Sequence, residues 1–113
     1  MPVLNLYVSQ DRTKWKPENR RINVFHNQSL WTYHLNKSVV PNEKLTASEN
    51  KRVGYFQMNN GKWMLVNEAM PGLQDATTKT SIPIGGHIEL SDGMTLLLGS
   101  QEGDRLAQIQ FIP

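Results

Sequence analysis

The stretch Ile84-Gly85-Gly86-His87-Ile88-Glu89-Leu90-Ser91-Asp92-Gly93-Met94-Thr95-Leu96-Leu97-Leu98-Gly99 decides the fold class. Ile88 and Leu90 alternate with polar neighbours. Ser91-Asp92-Gly93 makes a turn, and Met94, Leu96 and Leu98 resume the alternation. Side chains on a strand point to opposite faces in turn, so this reads as two short strands with one buried side each, joined by a tight turn. No long stretch elsewhere shows apolar recurrence at the helical spacing i, i+3, i+4, i+7. The expectation is an all-β chain, a small antiparallel β-sandwich of about eight to ten short strands.

Upstream, Arg52-Val53-Gly54-Tyr55-Phe56-Gln57-Met58 leads into Asn59-Asn60-Gly61, and Lys62-Trp63-Met64-Leu65-Val66-Asn67 leads away. Asn-Gly supplies the positive backbone angles that two-residue hairpin turns require, so a β-hairpin is predicted here. Trp63 and Leu65 share one face and are expected in the core, with Phe56 and Met58 on the same side. Val3 to Val8 reads as a first strand, Ser9 to Arg20 as a polar loop, and Ile22 to Phe25 as a short strand. Leu30 to Leu35 is a further strand by its aromatic and β-branched content. Asn36 to Asn50 is loop-like, with Val39 and Val40 pinning a short strand within it. Glu68 to Ser81 is a second loop region, in which Thr77, Thr78 and Thr80 are candidates for extended chain. Pro83 places the Ile82–Ile84 segment at a sheet edge or strand start. Leu106 to Ile112 closes the chain as a strand, with Ile109 and Phe111 on one face and the glutamines on the other.

Composition bounds the function. The chain has 113 residues, 38% hydrophobic and 19% charged, which predicts one soluble globular domain over 1–113. Folding at this length buries about 65% of the extended chain's surface, enough for one modest core. There is no cysteine, so disulfides and thiolate zinc sites are excluded. No apolar run reaches membrane-span length, and Met1 to Val8 does not read as a secretory signal; a cytosolic protein or module is expected. Net charge is only +2, but Arg12, Lys14, Lys16, Arg20 and Arg21 lie close together. Trp15 and Trp31 near that group make single-stranded nucleic acid an alternative partner, through stacking and positive charge.

Catalytic signatures are absent from the sequence. His26, His34 and His87 form no spaced ligand pair. No nucleophile elbow and no phosphate-binding Gly-rich loop with Lys-Ser/Thr occurs. The acidic pairs Asp11/Glu18 and Glu102/Asp104 lie in polar segments with nothing to raise a carboxyl pKa. A non-enzymatic chain with no cofactor and no metal is expected.

The run from Ser48 to Gly99 resembles a forkhead-associated (FHA) domain, a β-sandwich module that usually binds phosphothreonine peptides in its apical loops. The likeness rests on Ser48 before a strand, the Asn60-Gly61 hairpin, Trp63-Met64-Leu65-Val66-Asn67, and the closing pattern from Ile84 to Gly99, with a final strand from Leu106 to Ile112. It implies a protein-interaction module, with a protein or phosphopeptide as partner. The candidate ligand-binding residues are Lys44, Ser48, Lys51, Arg52 and Asn67, on or beside the loops Asn36–Asn50 and Glu68–Ser81. The family's Ser-x-x-His stands here as Ser48-Glu49-Asn50-Lys51, and its Gly-Arg has no counterpart between Leu35 and Leu45. Residual phosphopeptide recognition and phosphate-independent docking therefore both remain open.

Overall fold

A computed structural model describes residues 1–37 and 51–112. Its strands, in chain order, are β1 (Pro2–Val8), β2 (Lys16–Asn23), β3 (Ser29–Trp31), β4 (Arg52–Asn59), β5 (Lys62–Asn67), β6 (Gln74–Asp75), β7 (Thr80–Ser81), β8 (His87–Glu89), β9 (Thr95–Leu97) and β10 (Leu106–Phe111), and a single-turn helix α1 (Thr32–Leu35) follows β3. The strands form a six-stranded sheet in the order β2-β1-β10-β9-β6-β7 and a four-stranded sheet in the order β3-β4-β5-β8. Every pairing is antiparallel. The expected all-β sandwich is the fold of this chain.

The hairpin forms where the sequence predicts it. Asn60 and Gly61 carry φ of 52° and 77°, the paired positive angles of a tight turn that matches strand twist. Phe56 lies opposite Leu65, and Met58 opposite Trp63, so these side chains share one face. Leu4, Leu6, Leu96, Ala107 and Ile109 from the large sheet meet Leu30, Val53, Phe56 and Leu65 from the small one. Met70, Leu73, Ile82, Leu90 and Leu98, from the connections, close the sides. Each such side chain taken from water contributes about 1.5–3 kcal/mol against chain entropy, so period-two burial across both sheets is what makes the fold.

Sequence and structure differ in instructive places. The Ile84–Gly99 stretch does hold two strands and a tight turn, with Gly93 at φ 83°. The strands, however, belong to different sheets: β8 pairs with β5, and β9 with β10 and β6. The turn is a crossover between layers, so Leu90, Leu96 and Leu98 enter the same core from opposite sides. The predicted polar loop from Ser9 to Arg20 ends early, because β2 begins at Lys16. It is an edge strand whose one buried residue is Ile22, so no alternation marks it, and Pro17 is tolerated at its start. The predicted strand Leu30–Leu35 stops at Trp31 and turns into α1. Of Thr77, Thr78 and Thr80, only Thr80 is in a strand. The Val39-Val40 strand falls outside the described residues.

Candidate functional site

Strand register decides which loops meet. Trp31 lies opposite Arg52, Gly54 opposite Asn67, and Leu97 opposite both Leu106 and Gln74. The end of β3 with α1, the start of β4, the segment Glu68–Leu73, and the turn Gly99–Asp104 therefore gather at one tip of the sandwich. Ala76 to Lys79 lies at the other end, where Ala76 N–H donates to Thr95 O and a cleft joins Thr77 and Thr78 to Asp92 and Gly93. The Glu68–Ser81 region thus splits between both ends, because β6 and β7 reverse the chain in between. Only its first part belongs with the tip.

Three arginines are engaged at the tip. Arg105 is 3% exposed and sits at the head of β10. Its Nε and Nη2 donate to the Glu18 carboxylate at 2.6 and 2.9 Å, and its Nη1 donates to Tyr33 O and His34 O at 2.6 and 3.1 Å. This planar fork ties β2, α1 and β10 at one point. Arg12 donates to Gly99 O at 2.7 Å and Gln101 O at 2.8 Å, with its guanidinium 5.4 Å from the Trp15 ring centroid. Arg52 donates from Nη2 to Glu68 Oε2 at 2.9 Å, while Nε faces Oε1 at 2.7 Å without hydrogen-bond alignment. The Arg52 guanidinium also lies 5.1 Å from the Tyr55 ring centroid.

These contacts place the residues singled out by sequence. Arg52 is at the tip but already carries a carboxylate partner and an aromatic platform. Lys51 is beside it and exposed, its backbone fastened on both sides by the Thr32 hydroxyl. Lys44 and Ser48 lie outside the described residues. Asn67 is a correction. It is fully buried, its amide oxygen accepts from Met70 N–H at 2.8 Å, and its amide nitrogen donates to Met70 O and Ile82 O at 2.8 and 2.9 Å. With no exposed atom and its bonds committed inward, it shapes the loop after β5 and cannot meet a ligand. The basic segment is also divided: Arg12 turns to the Gly99–Asp104 turn and Arg21 Nε to Asn5 Oδ1.

Sequence reasoning passed over Arg105, Glu18 and Arg12 as clasps, since partners up to 92 residues apart leave no local pattern. It also passed over a groove at the same tip. That groove, about 310 Å³, opens between α1 and the Pro71-Gly72 and Gly99-Ser100 turns, with mostly apolar walls that include Leu35, Pro71 and Leu98. A Cβ on Gly72 would stand 2.5 Å from Ser100 N and 3.0 Å from the Gly99 carbonyl carbon, so only glycine lets the two turns approach.

Two titratable groups, Asp11 and His34, are tied into the local backbone. Asp11 is held well below the usual carboxylate range, first by the Thr13 backbone N–H, then by the Thr13 hydroxyl, the Lys14 N–H and the Ser9 hydroxyl. His34 is pushed down to about 4, mainly by burial and then by the Arg20 and Arg105 charges. Its neutral Nδ1 accepts from Trp31 N–H at 3.0 Å at the start of α1. The folded state disfavours the proton that the unfolded chain takes up near 6.5, so stability is full above that pH and falls as pH drops towards 4. We expect wild type to lose about 1 kcal/mol more than His34→Gln between pH 7 and pH 4, after allowance for solvent screening. Paired urea titrations at the two pH values measure this, and equal losses would refute it. Among the described residues no group of three or more His, Cys, Asp or Glu is placed to hold a metal ion, and no helix is long and apolar enough to cross a membrane.

Comparison of this chain with protein-family models, curated proteins and solved structures yields no match.

Proposed function

We propose that this chain is a non-enzymatic protein-interaction module of the forkhead-associated type, docking an extended peptide at the sandwich tip without requiring a phosphate. The observation that carries the reading is the apolar groove between the Pro71-Gly72 and Gly99-Ser100 turns. Loops on a rigid sheet scaffold commonly carry recognition, and a concave, mostly apolar site bordered by a few polar groups suits an anchor side chain. Ser100 supplies a hydroxyl at its edge.

Phosphate independence is supported by Arg52. A phosphothreonine carries about −1.5 to −2 charges and is usually met by charge-assisted hydrogen bonds from cations without other partners. Here the guanidinium is engaged by Glu68, so a phosphate would have to compete with a carboxylate already in place.

The test is a phosphothreonine peptide library screened beside its unphosphorylated twins. The expected result is binders whose affinity is equal within each pair, unaffected by Arg52→Ala, and reduced at least about tenfold by Ser100→Trp, which fills the groove with a large ring. Binding that needs the phosphate and disappears in Arg52→Ala would overturn phosphate independence. Binding untouched by Ser100→Trp would overturn the groove.

A further inference from the structure

A second concavity lies on the β1–β2 side of the large sheet and shares no lining residue with the tip groove. It measures about 320 Å³ and is lined by Asn5, Tyr7, Pro17, Asn19, Arg20 and Arg21, with Leu6 at its base. Its origin is a break in register. Tyr7 pairs with Pro17 and Asn5 with Arg21, so Glu18, Asn19 and Arg20 together stand against Leu6 alone. Asn19 takes φ 56°, a left-handed angle that asparagine tolerates better than most residues. Such bulges re-aim side chains. Here the bulge sends the Glu18 carboxylate to Arg105 and leaves the cleft with cations and no acid in its lining.

Charge separates this cleft from the sites of Arg52 and Arg105. Arg52 and Arg105 each have a carboxylate partner. Arg20 and Arg21 form no ion pair among the described residues. Arg21 is also preset: its Nε donates to Asn5 Oδ1 at 3.3 Å, and Asn5 Nδ2 donates to Gln110 Oε1 at 3.1 Å. That leaves both terminal nitrogens of its fork as donors, in a cleft whose lining also holds Arg20, Tyr7 and Asn19. Two arginines in one lining without an acid favour a dianion over a monoanion, and a planar guanidinium fork matches tetrahedral phosphate oxygens. The ring of Pro17 and the body of Tyr7 offer apolar surface to whatever carries the charge.

We infer that this cleft binds a phosphate monoester, its oxygens on Arg20 and Arg21 and its organic part against Pro17 and Tyr7. The site is separate from the peptide-docking reading and does not depend on it.

Titration of the ¹⁵N-labelled chain with phenyl phosphate, followed by amide shifts, tests the assignment. Saturable shifts are expected at Tyr7, Asn19 and Arg21, with weaker binding of inorganic phosphate and of the monoanion benzoate. Arg20→Gln and Arg21→Gln should each weaken phenyl phosphate about tenfold, the equivalent of one charge-assisted bond, while an unchanged amide spectrum elsewhere shows the fold intact. Vesicles of phosphatidylcholine doped with phosphatidic acid distinguish the source. Sedimentation of wild type but not Arg21→Gln points to a lipid headgroup, and phenyl phosphate binding without sedimentation points to a soluble ester. Absence of saturable shifts with phenyl phosphate and of sedimentation, or variants that bind as wild type does, would overturn the inference.

Discussion

Arg105→Ala is expected to lower the unfolding free energy by about 3–5 kcal/mol, a large part of the total for a domain of this size. The side chain is nearly fully buried, so the loss is not that of a surface ion pair. Alanine would leave the Glu18 carboxylate without its cation and would strip Tyr33 O and His34 O of their donor. The carbonyls matter as much as the charge, since they fix α1, and Leu35 of α1 walls the tip groove. Urea unfolding gives the midpoint, and the groove's ligand binding should weaken in parallel. Arg105→Lys keeps the charge but not the fork and should fall between wild type and alanine. Pairing Arg105→Met with Glu18→Leu should recover part of the loss, because it removes the stranded carboxylate. An Arg105→Ala midpoint equal to wild type would show that this side chain does not hold the tip together.

Asn67→Ala comes second, at about 3–5 kcal/mol. Three hydrogen bonds converge on this buried amide, and alanine would orphan Met70 N–H and Ile82 O in the interior and leave Met70 O with only the long 3.3 Å bond from Leu73 N–H. The discriminating variant is Asn67→Asp. It keeps an acceptor for Met70 N–H but loses both donors and brings a charge to a site with no exposure. If Asn67 shapes the loop after β5, aspartate should be at least as damaging as alanine in a thermal melt. A residue that contacts ligand instead would leave the melt unchanged and affect only binding, and that outcome would reverse the assignment.

What the sequence disclosed follows from how far each signal reaches. The Asn60-Gly61 hairpin was legible because its chemistry lies within two adjacent residues, and the inward positions of Leu65, Leu96 and Ile109 because alternation is a local pattern. β2 was missed over Lys16 to Arg20 because an edge strand with polar side chains on both faces has no alternation to read. The turn at Asp92-Gly93 was read correctly as a turn, but nothing within it tells a hairpin from a crossover; that depends on which strands compete for β8 and β9. Site residues were harder. Lys51 and Arg52 were singled out only through the likeness to the forkhead-associated pattern, and the Glu68 partner that engages Arg52 follows from geometry across the sheet. Asn67 ends a strand and looks available, and only its enclosure by Met70 and Ile82 shows that it is not.

At the tip, Arg12 and Arg105 reach mostly for main-chain oxygens: Gly99 and Gln101 for one, Tyr33 and His34 for the other. Every residue type offers the same carbonyl, so the contour of those segments is largely indifferent to which side chains they display. Positions such as Gln101 and Glu102, exposed on that contour, are thus open to wholesale replacement. A combinatorial repertoire varied there would keep its frame while exploring new specificities, which makes this chain a starting point for selected binding reagents.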